Sequence, residues 1–201
     1  MSLVNNIRSM IEESAENIKQ MASSEEFIAQ FEEIISLLVE TYKNGGCLFV
    51  AGNGGSAADA QHIVAELVVK LHKNRSPIRA FALTTDSSIL TAIGNDYGFD
   101  QLFSRQLLAG ATEKDIFIAI STSGNSINII NALNVARKIG CKSILLTGKS
   151  GGKAKELADL TIAINAQKTH LIQEGHIVIY HQLCHHLEKA LVDLGICSYL
   201  D

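Results

Sequence analysis

His62 and Glu66 stand four residues apart, and in a helix that spacing puts both side chains on one face. An imidazole and a carboxylate so placed can share one metal ion or one substrate, or simply pair at the surface. A second group of candidates crowds the C-terminal part of the chain: His170, Gln173, Glu174, His176, His181, His185 and His186. If this stretch is one helix, His170, Glu174 and His181 fall in a stripe about 40° wide. Gln173 and His181 are then about 80° and roughly 12 Å of rise apart. To serve one centre, one of these side chains must stretch, or a neighbouring subunit must supply it. His185 and His186 read as solvated or subunit-facing, and Cys184 as core.

Two turns offer chemistry of another kind. Gly52-Asn53-Gly54-Gly55-Ser56 follows the apolar run Cys47 to Ala51 and leads into a stretch of helical period from Ala57. Ser121-Thr122-Ser123-Gly124-Asn125-Ser126 repeats the arrangement after Asp115 to Ile120. A strand, a small-residue turn and a helix start present free backbone N–H groups to an anion; the plainer reading is a tight turn that needs glycine for its dihedral angles. Neither turn carries the lysine of a nucleotide-triphosphate loop. Hydroxyls and amides around a single phosphate fit better, which points to a phosphorylated metabolite.

The elements that must position these groups alternate in type. Strands are expected at 47–51, 79–84, 115–120, 142–147 and 160–164. Helices are expected at 3–21, 25–44, 56–72, 86–94, 99–110, 126–139, 151–157 and 169–193. Repeated βα units imply an α/β fold with a five-stranded parallel sheet flanked by helices, and ligands gather beyond the carboxyl ends of its strands. Thr84-Thr85-Asp86 and Thr147-Gly148-Lys149 reach the same level and read as caps or turns. The two N-terminal helices precede the first strand, so they are not crossovers; they pack on the sheet or mediate oligomerisation. In the first, Ile7, Met10, Ile11, Ile18 and Met21 mark the apolar side. One domain spans 1–201, with a helical pair at 1–45 and an α/β core at 46–201.

Composition narrows the class. With 201 residues, 47% of them hydrophobic, the chain can bury one substantial core. A formal charge of −4 argues against a nucleic-acid partner. The first 19 residues carry charges of both signs and no signal-type apolar core, and no uncharged stretch approaches a membrane span. Cys47, Cys141, Cys184 and Cys197 form no CxxC pair, so neither a disulfide scaffold nor a cysteine zinc site is indicated. These features describe a soluble protein of a reducing compartment, read as cytoplasmic.

Taken together, the motifs resemble the phosphoheptose isomerases of the sugar isomerase (SIS) fold. The resemblance rests on AGNGGSAADAQH (51–62), Glu66, TAIGNDYGFDQLFSRQ (91–106), STSGNS (121–126), LTGKSGGK (146–153) and IQEGH (172–176) with His181. Any one turn is weak, because the whole SIS superfamily uses serine-rich loops, but the set is specific. It implies a three-layer fold and interconversion of sedoheptulose 7-phosphate and D-glycero-D-manno-heptose 7-phosphate, for bacterial lipopolysaccharide or capsule. It further implies a cytoplasmic homotetramer with sites at subunit interfaces, and one zinc ion per subunit.

By position, the resemblance assigns His62, Glu66, Gln173 and His181 to the metal. It assigns Asn53, Gly54, Gly55, Glu66, Asn95, Asp96, Ser121, Thr122, Ser123, Ser126 and Gln173 to the substrate, and Ser56 belongs beside them on the first turn. Aldose–ketose isomerisation through an enediol needs a proton to leave one carbon and another to arrive next door. Glu66 is the expected base at carbon and His181 the partner acid. Two positions depart from the family pattern: Leu171 stands where many members have Arg, and Lys70 where Arg is frequent. Lysine cannot make the bidentate contact of arginine. The competing readings are a non-catalytic SIS adaptor, a sugar-phosphate sensor, and an isomerase of another phosphosugar. The adaptor lacks the acid/base pair, which this chain has.

Overall fold

Each strand of the sheet is a short apolar run whose alternate side chains must be covered on both faces. In a computed structural model, which describes residues 2–200, the chain meets that demand with helices on either side. In chain order the elements are α1 (Leu3–Ala22), α2 (Glu25–Lys43), β1 (Leu48–Gly52), α3 (Gly55–Val68), β2 (Ala80–Ala82), α4 (Ser87–Asp96), α5 (Leu102–Gly110), β3 (Ile116–Ser121), α6 (Ile127–Ile139), β4 (Lys142–Gly148), β5 (Leu160–Ile164) and α7 (Thr169–Asp193). The strands form one parallel five-stranded sheet in the order β2-β1-β3-β4-β5.

Leu48, Val50, Ile118, Ile120, Ile144 and Ile162 face α2, α3 and α7. Phe49, Ala51, Phe117, Ala119 and Leu145 face α4, α5 and α6. The result is three layers, as expected. The order reverses at β1: the chain leaves it for β2 on one side and returns to β3 on the other. The crevice between the carboxyl ends of β1 and β3 is therefore the switch point, where doubly wound sheets bind ligands. Among the described residues, no helix is long and apolar enough to cross a membrane.

Several element boundaries differ from the expected ones. The helix expected at 56–72 stops at Val68, because Arg75 takes its last carbonyls. Arg75 Nη2 donates to the Glu66 carbonyl and Nη1 to that of Leu67, both at 2.7 Å. Lys70 consequently lies past the helix, exposed. The strand expected at 79–84 is three residues long at the sheet edge, with Phe81 half exposed. Asp86 then caps α4, accepting from the Ile89 N–H, and α4 extends to Asp96. The helix expected at 99–110 begins as a 3-10 turn at Phe99–Gln101, and that at 151–157 is only a 3-10 turn at Lys153–Glu156.

The first two helices behave differently from one another. Ser24 caps α2 and Asn44 ends it, and α2 buries Ile34 and Leu38. On α1, Met21 is buried, but Ile7, Met10 and Ile11 are exposed together with Leu3 and Val4. Asn17, which donates to the Leu171 carbonyl, and Glu13, paired with Lys168, attach α1 to the start of α7. Among the described residues, the N-terminal half of the α1 stripe, from Leu3 to Ile11, thus has no cover.

Candidate active site

The first turn runs from β1 into α3, whose N-terminus has no side-chain cap. Asn53 is held there by a reciprocal amide pair, each side chain donating to the other, with Asn128 at 2.9 Å. Gln173 of α7 leans over the same turn. A Cβ on Gly55 would run into its amide nitrogen, so a larger residue there would make the Gln173 side chain shift. Ser56 is buried at the first turn of α3.

The second turn runs from β3 into α6, also without a side-chain cap. Ser121 Oγ donates to Ser126 Oγ at 3.3 Å, and the Gly124 N–H donates to Ser121 Oγ. Ser123 Oγ accepts from the Asn125 N–H, and the Thr122 carbonyl accepts from the Gly148 N–H. Gly124 has φ +63° and sits against the Gly151 carbonyl, where any Cβ would collide. The Ala154 N–H donates back to Gly124 O. The turn is therefore locked into the loop after β4.

Two helical turns beyond the glycine turn, α3 presents Asp59, His62 and Glu66 on one face. His62 Nε2 lies 2.9 Å from Glu66 Oε1, and α7 brings the His181 ring to 5.0 Å from that of His62. Ligand atoms of His62, Glu66 and His181 all lie within 4.8 Å of one another. Two imidazoles and a carboxylate gathered so closely are a zinc-type donor set with room for further ligands, so the residues present fit the ion. His181 reaches this cluster while Gln173 reaches the first turn. Within this chain the two therefore do not meet at one centre, and His170 stays exposed at the helix start. Asn95 and Asp96 lie exposed at the end of α4, where Asn95 Nδ2 donates to Asp96 Oδ1.

Behind the cluster stand groups that the sequence reading did not single out. Tyr180 is buried, with its hydroxyl 3.0 Å from His62 Nδ1 and 3.5 Å from Asp59 Oδ1. Burial pushes the Asp59 carboxyl up while the Tyr180 hydroxyl draws it down, and burial beside Asp59 pushes the Tyr180 hydroxyl up. Asp59 offered a signal, three residues before His62 on the same face. Tyr180 gave none, because it continues an apolar helical stripe. His176 is fully buried, its Nε2 3.2 Å from the Thr147 carbonyl, and burial takes it down to about 4, so the ring is neutral near pH 7. It ties α7 to the end of β4. Thr147 is buried at the end of β4, and His185 and His186 are exposed.

A doubly wound parallel sheet with two hydroxyl-rich turns at its switch point defines a SIS domain, and the SIS domain family matches residues 4–148. The chain belongs, within that class, to the phosphoheptose isomerase family. It is 48% identical over 185 residues to the phosphoheptose isomerase of Aneurinibacillus thermoaerophilus, covering 92% of this chain and 93% of the relative. It is 52% identical over 164 residues to that of Citrifermentans bemidjiense, covering 82% and 85%. Among solved structures, the phosphoheptose isomerase of Francisella tularensis superposes with a TM-score of 0.90 at 34% identity, over 94% of this chain and all of the other. That of Neisseria gonorrhoeae superposes with a TM-score of 0.87 at 36% identity, with the same coverage.

Proposed function

We propose that this chain interconverts sedoheptulose 7-phosphate and D-glycero-D-manno-heptose 7-phosphate in the cytoplasm, feeding a bacterial glycan such as lipopolysaccharide or capsule. The observation that carries the proposal is the meeting of His62, Glu66 and His181 on α3 and α7, beside the switch point of the sheet. Asn53, Gly54, Gly55 and Ser56 on one side, with Ser121, Thr122, Ser123 and Ser126 on the other, hold the phosphate and nearby hydroxyls. Gln173, placed against Gly55, orients the sugar between them. Asn95 and Asp96 are exposed and contribute where a neighbouring subunit completes the pocket.

Glu66 takes the proton from the carbon next to the carbonyl and returns it to the adjacent carbon. His181 gives a proton to the carbonyl oxygen and recovers one from the neighbouring hydroxyl. His62, Glu66 and His181 would hold zinc; Gln173 of the same chain lies against Gly55, so a glutamine ligand would have to come from a neighbouring subunit. When bound, the ion supplies Lewis-acid stabilisation of charge on the substrate oxygens. A non-catalytic adaptor or sensor has no use for a carboxylate and two imidazoles gathered in this way.

Incubation of the purified protein with sedoheptulose 7-phosphate, followed by NMR of the sugar carbons, tests the reading. Turnover that a chelator abolishes and zinc restores is the expected result. A folded protein that binds the sugar phosphate without turning it over would establish the sensor or adaptor instead. Faster turnover of a pentose or hexose phosphate would reassign the substrate.

The uncovered stripe of α1 and the apolar groove of about 620 Å³ bordered by Phe27, Phe31, Ile35 and Val178 support assembly into a homo-oligomer, a tetramer by family pattern. Replacing Ile7 and Ile11 together by Glu removes two side chains each worth about 1.5–3 kcal/mol on burial. Sedimentation should then show dissociation at protein concentrations about a hundredfold higher, or more, than for the parent chain. An unchanged distribution of species would take α1 out of the interface.

A further inference from the structure

We infer that Tyr180, backed by Asp59, is a positioning residue for the metal, holding His62 in the tautomer that leaves Nε2 free to bind the ion. The inference rests on the metal reading above and adds to it two residues with no assigned role. His62 has Glu66 on its Nε2 side at 2.9 Å and the Tyr180 hydroxyl on its Nδ1 side at 3.0 Å. A neutral imidazole carries one hydrogen, and whichever nitrogen holds it cannot bind a metal. What lies behind the ring therefore decides which nitrogen is available.

The direction of the hydrogen-bond chain follows from its far end. An ionised carboxylate only accepts, so the Tyr180 O–H, 3.5 Å from Asp59 Oδ1, points toward Asp59. Its oxygen is then left to accept from His62 Nδ1–H, so a cation need displace only the Nε2 proton that Glu66 Oε1 accepts at 2.9 Å for the Nε2 lone pair to bind it. The opposite tautomer would turn the tyrosine hydrogen toward His62. Asp59 would be left with neither oxygen paired, since its Oδ2 is already buried and has no partner. Burying a second unmet acceptor is unfavourable. The rings are packed in support: Tyr180 lies edge-on to His62 at 5.3 Å and to His181 at 4.9 Å, and is only 1% exposed. Two imidazoles of the donor set thus share one buried phenol as their back wall.

Zinc affinity of the purified full chain, measured by competition with a chromophoric chelator, tests this directly. Tyr180→Phe keeps the ring and removes the oxygen. It should weaken zinc binding by about 10–100-fold, the usual cost of losing a partner behind a ligand histidine. Asp59→Asn can turn its amide either way, so the bias is lost but an acceptor remains, and a smaller loss is expected. The double variant should bind zinc no more weakly than Tyr180→Phe, because both changes break one chain. Thermal unfolding of the metal-free proteins separates folding from binding. A lowered melting temperature with affinity within twofold of the parent would overturn the inference, as would additive losses in the double variant. A parent protein that takes up no zinc would overturn the metal reading and this inference with it. Zinc-binding parent protein with an unaffected Tyr180→Phe variant overturns the inference alone.

Discussion

Glu66→Gln should lower kcat for sedoheptulose 7-phosphate by about 10²–10⁴, the range expected when a general base is removed, while the protein still folds and binds the sugar. The substitution keeps the shape of the side chain and one carbonyl oxygen, so the 2.9 Å contact with His62 can persist. It removes the ability to take a proton. Solvent deuterium offers a second readout, because an enediol returns to the ketose or aldose with a hydrogen drawn from the shared base. The parent enzyme should incorporate deuterium at the reacting carbons and the variant should not. Zinc content must be measured beside the rates, since Glu66 also belongs to the donor cluster. A variant with normal zinc and a rate within tenfold of the parent would remove Glu66 as the base and leave it a ligand.

Arg75→Met should cost about 3–5 kcal/mol of folding free energy, because it strands a buried partner. The Arg75 side chain is fully buried, and its Nε donates to Glu188 Oε2 at 2.7 Å. Its Nη atoms hold the carbonyls of Glu66, Leu67 and Ser76. Without the guanidinium, a carboxylate and the end of α3 lose their partners together. Lysine has no planar fork to serve those acceptors at once, so Arg75→Lys should recover little. Arg75→Met with Glu188→Met should recover much of the loss, since an apolar pair removes the unpaired charge. Urea unfolding at one fixed protein concentration reads all three variants. A shift below about 1 kcal/mol for Arg75→Met would show that the ion pair is dispensable. Because Arg75 grips the backbone of Glu66 itself, the rate of the surviving folded fraction is informative too.

Local pattern made much of the layout legible. The apolar runs before two hydroxyl-rich turns located β1 and β3, and the helical spacing of His62 and Glu66 described a real face of α3. What escaped reading was set by distant partners. Arg75 sits in a basic stretch with Lys70, Lys73 and Arg79, and nothing local marks it as the one whose partner, Glu188, lies 113 residues on. Tyr180 looks like one more core position until its hydroxyl meets His62 from another helix. Phe81 reads as the middle of a buried strand, yet an edge strand covers only one of its sides. The stripe on α1 was legible as apolar, but a single chain does not carry what covers it. The long helix was expected at 169–193, its observed bounds, while the separate destinations of Gln173 and His181 depended on how α7 crosses α3.

One rod, α7, carries both of those residues. Gln173 touches the turn proposed to receive the phosphate, and His181 belongs to the cluster proposed to handle the reacting carbons. Helix rise fixes their separation at roughly 12 Å, and it cannot be adjusted in small steps, because one inserted residue swings everything beyond it by about 100°. The helix is in effect a ruler with two marks. A relative that adapts to a shorter or longer sugar must therefore move the phosphate turn, and the mark at the reacting end stays where it is.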